Sequence, residues 1–452
     1  MNIISNNSQS IYTSIKKILN KYKAVFTKKS FQSFFWLIIS IISFDQIQSI
    51  RFIWKNFISK YKNSSLNSFY YFLSYSSWSL DDLMKKTTEI VLSLIPENLQ
   101  DEKIYLIIDD TLQEKFGDEF AGCQSFFDHV RRNNSSYLKG NSFVALAISI
   151  PVSAGDNEIS YLSIPLGFRL YKKEKSKLTI ARDLILNIIK LLADKQLVIL
   201  CDSWYSRGDV IDTVEEFENI EFVGAVRKDT AFYDLPPEHN GKRGRPRKYG
   251  DKLSLEDLEY EKIGKYYVAS KIVKTKLFEK PVEIFVTLKD LDEFKSPRVY
   301  ISTDTDSKSE SLKKYFLSAV KTKNDFKQKK GSTMSEIPVL KEYSSRWNIE
   351  VIFYELKTFW SFGNYMVVKE KGIEAYINLL ATAYTIVKCY PFMAENSEEF
   401  IDLSPQQIKT ALSRYLREEL ILEGFVSDFE NAKIYENLKD CLHSFISFRD
   451  AA

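Results

Sequence analysis

A chain of 452 residues, 44% apolar and 27% charged, has the composition of a soluble globular protein of about two to four domains, which argues against disorder or a fibrous repeat. Its 63 basic residues against 60 acidic ones leave a net charge of only +3, so a nucleic-acid partner has to be met by local basic patches. Four scattered cysteines (Cys123, Cys201, Cys389, Cys441) without a CxxC pair, and only three histidines (His129, His239, His443), argue against zinc and histidine catalysis, suit a reducing compartment, and leave carboxylates as the expected catalytic groups.

Residues 1–100 carry apolar runs of helical length and no strand alternation, which predicts a helical N-terminal region. Within it FFWLIISIISF, Phe34–Phe44, is about half the length of a membrane-spanning helix. It predicts a buried core helix, and no membrane partner is expected. Ser79 reads as the cap of the helix SLDDLMKKTTEIVLSLI. The pattern changes at IYLIIDD, Ile104–Asp110, a β-branched run ending in acid, followed by two further strands, FVALAISI and YLSIPLGFRLY. A helix, KSKLTIARDLILNIIKLLADK, leads to LVILCD (Leu197–Asp202), a second apolar strand that ends in acid, then to a short helix and the strand EFVGAVR. Continuous apolar strands alternating with helices predict an α/β core over 101–228, its mixed sheet covered on both faces.

Residues 229–308 are turn-rich and basic and then strand-like (YYVASKIV, VEIFVTL, RVYIST), which predicts a β-rich basic insertion. Helical signals return over 309–395 with SESLKKYFLSAV, a polar loop and YSSRWNIEVIFYELK, the second part of the core. The final segment, 396–452, reads as helical, with Ser404-Pro405 opening one helix.

If YSSRWNIEVIFYELK is one helix, Tyr343, Arg346, Glu350 and Lys357 fall within an arc of about 60° along roughly 21 Å of axis. Ile349, Ile352, Leu356 and Phe359 form a separate apolar stripe that docks the helix. A polar line beside a docked stripe is either a solvated face or the wall of a site. Asp110 and Asp202 end apolar strands, where their carboxylates can meet Glu350. Such oxygen donors suit hard divalent cations, and a metal pair serves phosphoryl displacement.

These residues carry a resemblance. YSSRWNIEVIFYELK matches the Tyr-x2-Arg-x3-Glu-x6-Lys signature of one branch of bacterial insertion-sequence transposases of the DDE type, and IDDT and CDSWYS resemble its two aspartate motifs, in order. The resemblance implies a ribonuclease-H-like fold with a β-rich insertion, and a metal-binding triad of Asp110, Asp202 and Glu350 loaded with Mg²⁺, or Mn²⁺ in its place. It assigns Tyr343, Arg346 and Lys357 to the transposon end. It also implies double-stranded DNA as partner, both inverted repeats and target, DNA binding by the helical N-terminal region 1–100, a homodimer in the synaptic complex, and a bacterial cytoplasmic location at the nucleoid. Asp109 and Asp110 point to opposite faces of a strand, so only one is expected to reach the metals; the family's Asp-Thr pattern selects Asp110, which precedes Thr111. A nuclease without strand transfer and an inactive DNA-binding relative are the rival readings. Asp304 and Asp306, in ISTDTDS, read as turn residues.

KRGRPRKYG, Lys242–Gly250, resembles an AT-hook, in which Arg243, Arg245 and Arg247 would enter a narrow minor groove. Its alternative is a solvated basic loop.

Overall fold

The computed structural model describes residues 10–127, 137–155, 158–238, 245–305, 337–395 and 397–429. Eleven strands occur among them: β1 (Ile104–Glu114), β2 (Gln124–Phe127), β3 (Tyr137–Ala154), β4 (Ile159–Leu170), β5 (Leu197–Cys201), β6 (Ile220–Val226), β7 (Phe232–Tyr233), β8 (Glu261–Ile263), β9 (Tyr266–Thr275), β10 (Val282–Leu288) and β11 (Arg298–Ser302). The apolar runs of β1 and β5 leave no polar face, and both are buried from Ile104 to Ile108 and from Leu197 to Cys201. Such two-sided burial belongs at the centre of a sheet. There β1 runs parallel to β5 and β5 parallel to β6, while β3 pairs antiparallel with β1 and with β4. This mixed α/β arrangement with flanking helices is consistent with the expected ribonuclease-H-like fold.

The predicted insertion strands continue the same sheet. β11 pairs antiparallel with β6, and β10 and β9 follow, giving the order β2-β3-β1-β5-β6-β11-β10-β9-β7. β10 is buried throughout, as a strand hydrogen-bonded on both sides within this sheet should be.

The chain divides into two compact units, residues 87–354 with the sheet, and residues 1–86 with 355–452. In the second unit, the helix Lys28–Ser43 packs against the helices Glu370–Met393 and Pro405–Phe429. Its Phe34, Ile38 and Ile42 are fully buried, as FFWLIISIISF predicts, and no helix among the described residues is long and apolar enough to cross a membrane. Aromatic rings fill this core, with Phe26 stacked on Phe34 at 4.5 Å and Phe72 on Trp78 at 5.2 Å. Ser79 caps its helix by accepting the Asp81 and Asp82 N–H groups, and Ser404 and Gln407 form a reciprocal capping box.

One expectation changes. The segment around Tyr343 is two helices, Pro338–Ser344 and Trp347–Phe359, because the Ser345, Arg346 and Asn348 N–H groups bond three residues back, which tightens the chain at Ser345-Arg346. The segment SESLKKYFLSAV, the loop after it and Asp306 lie outside the described residues.

Candidate active site

β1 outruns its parallel neighbour. Pairing with β5 ends at Ile108↔Cys201, whereas pairing with β3 continues to Glu114↔Gly140. The next residue on each parallel strand is an aspartate, so Asp109 and Asp202 sit level and share a face of the sheet. Period-two alternation turns Asp110 to the other face.

The backbone then holds Asp202 in place. Its Oδ1 accepts the N–H groups of Trp204 (3.0 Å) and Tyr205 (3.2 Å), so the strand ends in an aspartate-centred turn. Ser206 Oγ donates back to the Asp202 carbonyl at 2.9 Å and to the Ala225 carbonyl at 2.5 Å, which holds the turn against β6. Gly224 leaves room there, since a Cβ would collide with Cζ of Phe222 and lie 2.9 Å from Ser206 Oγ.

The helix Trp347–Phe359 supplies the third carboxylate. Of the predicted apolar stripe, Ile349, Ile352 and Leu356 are buried and Phe359 is half-buried, and Phe353 packs on Phe168 of β4 with ring centroids 6.2 Å apart. Asn348 Nδ2 donates to Ser163 Oγ, also on β4, at 2.8 Å. With the helix so anchored, Arg346 Nη1 lies 2.8 Å from Asp109 Oδ2 and 3.6 Å from Glu350 Oε1.

Three acids around one cation are electrostatically unbalanced. Burial, followed by the charges of Glu350 and Asp202, pushes the Asp109 carboxyl well above the usual carboxylate range; Arg346 and the Asp110 N–H, 2.8 Å away, only partly offset this. Burial opposes the Arg346 charge, but Tyr343, Asp109, Glu350 and Asp202 outweigh it and raise its pKa. Tyr343 is half-buried, its ring 4.7 Å from that of Tyr300 on β11, and burial raises its phenol pKa.

On the opposite face, Asp110 has partners of its own. Lys177, at the start of the helix Lys177–Ile188, bonds Oδ2, Tyr205 donates to Oδ1 at 3.0 Å, and Ser142 of β3 donates to Oδ2 at 3.3 Å. The Lys177 ammonium is ringed by Tyr171, Trp204 and Phe126, at 5.3, 5.6 and 5.9 Å from their centroids. Sequence reasoning missed Lys177, Tyr205 and Ser142; only the position of Tyr205 inside CDSWYS hinted at any of them.

Of the residues singled out by sequence, Asp202, Glu350, Arg346 and Tyr343 come together, with Asp109 at their centre. Asp110 faces away from them. Lys357 is exposed near the end of its helix. Arg245 and Arg247 are exposed outside regular structure, with Arg247 3.7 Å from Asp251, while Arg243 lies outside the described residues. Asp304 sits at the far end of the sheet, 3.6 Å from Lys103, which also bonds Glu221 at 2.7 Å.

Among the described residues no group of three or more His, Cys, Asp or Glu side chains is gathered closely enough to hold a metal ion. The donor chemistry still fits one. Asp109, Asp202 and Glu350 offer only hard oxygen donors, and the position between Asp109 and Glu350 is taken by a guanidinium cation.

Two family models match the chain. A transposase DDE domain matches residues 158–386, and a DDE superfamily endonuclease matches residues 43–263. No curated protein matches it.

Proposed function

The chain belongs to the DDE transposases, and on that premise we propose that it cleaves transposon ends and joins their 3′ hydroxyl groups to target DNA. Within the family we assign it to the branch with the Tyr-x2-Arg-x3-Glu-x6-Lys signature, on Tyr343, Arg346, Glu350 and Lys357. One observation carries the reading: a half-buried guanidinium sits between Asp109 and Glu350, within the field of Asp202, so this acidic cluster is built around positive charge.

We assign the metal-holding carboxylates as Asp109, Asp202 and Glu350. The resemblance favours Asp110 for the first position, but strand alternation and the engagement of Asp110 by Lys177 favour Asp109. When bound, Mg²⁺ or Mn²⁺ supplies Lewis acidity to the attacking and leaving oxygens of the phosphodiester. The protein's own part is to fix the carboxylates through the β1–β5 register and the turn after Asp202, and to offer Arg346 and Tyr343 to the phosphates of the DNA end. Lys357 and the arginine run Arg243, Arg245 and Arg247 extend contact along duplex DNA, the latter in AT-rich minor grooves. Synapsis of two ends calls for a homodimer acting at the nucleoid.

Purified protein with a labelled transposon end, a target plasmid and Mg²⁺, resolved on a denaturing gel, tests this. Cleavage followed by joined product is expected. Cleavage with no joining under any divalent ion would reduce the protein to a nuclease.

A further inference from the structure

The β1–β5 ladder stops at Ile108↔Cys201, one residue short of Asp109 and Asp202, and past that point the two strand ends are held in different ways. β1 stays hydrogen-bonded to β3 as far as Glu114↔Gly140, so the sheet fixes the backbone of Asp109 and Asp110. The chain after Cys201 leaves the sheet as a turn, and there side-chain bonds take over. Two consecutive residues of that turn reach to opposite neighbours. Ser206 ties it to the Ala225 carbonyl on β6. Tyr205 ties it to β1: its N–H donates to Asp202 Oδ1 at 3.2 Å, and its hydroxyl donates to Asp110 Oδ1 at 3.0 Å.

This second link is stiff at both ends. The Tyr205 ring is 1% exposed and packs edge-on against Trp204, with centroids 4.9 Å apart. Its acceptor is pinned as well, because Lys177 and Ser142 hold Asp110 Oδ2 and leave Oδ1 to the tyrosine. One side chain therefore connects the carboxylate of Asp202 to the residue next to Asp109.

We propose that Tyr205 is a positioning residue that sets the separation of the Asp109 and Asp202 carboxylates, acting through Asp110. The proposal rests on the reading of Asp109 and Asp202 as metal-holding groups. It gives Asp110 a task of its own: facing away from the acidic cluster, it anchors the brace that holds the end of β5 in place. A fixed separation matters because Mg²⁺ demands near-ideal octahedral geometry at short oxygen distances, whereas larger cations tolerate a looser set of donors. A slackened brace penalises Mg²⁺ more than Mn²⁺, a signature that lost stability alone does not produce.

Tyr205→Phe removes the hydroxyl and keeps the ring and the N–H. In the full chain, with a labelled transposon end and saturating protein, its single-turnover cleavage rate should fall about thirtyfold in Mg²⁺ and about threefold in Mn²⁺, which shifts metal preference by about tenfold. Binding of the uncleaved end without metal should stay within about twofold of the parent. Electron paramagnetic resonance of free Mn²⁺, with no DNA present, should report a dissociation constant raised by about tenfold. Asp110→Ala breaks the same link from its other end and should reproduce the shift in preference, and Tyr205→Phe/Asp110→Ala should add little to either single variant. Asp110→Asn, which can still bond the hydroxyl, should return the preference toward that of the parent. Equal losses in the two metals, an unchanged Mn²⁺ affinity, or additive effects in the double variant overturn the proposal. A parent that binds Mn²⁺ but cleaves with neither metal refutes the transposase reaction and leaves the brace to be judged on Mn²⁺ affinity; a parent that binds no Mn²⁺ refutes both.

Discussion

Asp109 and Asp110 are adjacent in the chain, each meets a cation from a distant segment, and the two faces of β1 treat them in opposite ways. On one face Asp109 shares Arg346 with Glu350 and feels Asp202, so three acids face one guanidinium. On the other, Asp110 has Lys177 to itself, with hydroxyls from Tyr205 and Ser142 filling its remaining acceptor positions. The second arrangement is complete: one negative charge, one positive charge, satisfied hydrogen bonds. The first lacks positive charge. Surplus acid in a partly buried place costs stability unless something compensates it, and that imbalance is what distinguishes the Asp109 face from the balanced ion pair of Asp110.

Catalysis gives the widest separation between the faces. Asp109→Asn, Asp202→Asn and Glu350→Gln should each lower metal-dependent cleavage by roughly a thousandfold or more, about 4 kcal/mol of transition-state stabilisation. Asp110→Asn should stay within about tenfold of the parent. Cleavage assays showing a dead Asp110→Asn and an active Asp109→Asn would invert the comparison.

Metal binding separates them next. Added Mn²⁺ at about a hundred times its dissociation constant should stabilise the parent by about 2.7 kcal/mol in thermal or urea unfolding. That gain should largely vanish in Asp109→Asn and persist in Asp110→Asn; equal gains in both would erase the distinction.

Arg346→Ala should weaken binding of a transposon end by about tenfold and reduce the salt slope by about one, the signature of one lost phosphate contact. Filter binding across a salt series reads both, and an unchanged slope would confine Arg346 to Asp109 and Glu350.

Lys177→Met probes the balanced face, with the smallest expected effect. It strips Asp110 of its cation and should cost about 1 to 2 kcal/mol in urea unfolding, with much of the loss recovered in the double variant Lys177→Met/Asp110→Asn. Additive losses in the two single variants would show that the pair is not coupled.

Much of this architecture was legible in the sequence, because apolar runs ending in acid, capping serines and the stripe Ile349, Ile352, Leu356 report local physics. Which of Asp109 and Asp110 shares a face with Glu350 was not. Alternation says that they differ, but which face holds Glu350 depends on where the helix Trp347–Phe359 docks, through Asn348 on Ser163 and Phe353 on Phe168. The tightening at Ser345-Arg346 was equally invisible, since no proline or glycine marks it.

The level placement of Asp109 and Asp202 has a consequence for how such a chain can vary. Both acids are the first residues past a shared parallel register, so deleting or inserting one residue between Ile104 and Ile108 would exchange the faces of Asp109 and Asp110, a whole step with no intermediate. Length changes in a lineage of such proteins should therefore avoid these two strands and collect in the segments that join them. The face that carries each carboxylate changes in whole steps, never gradually.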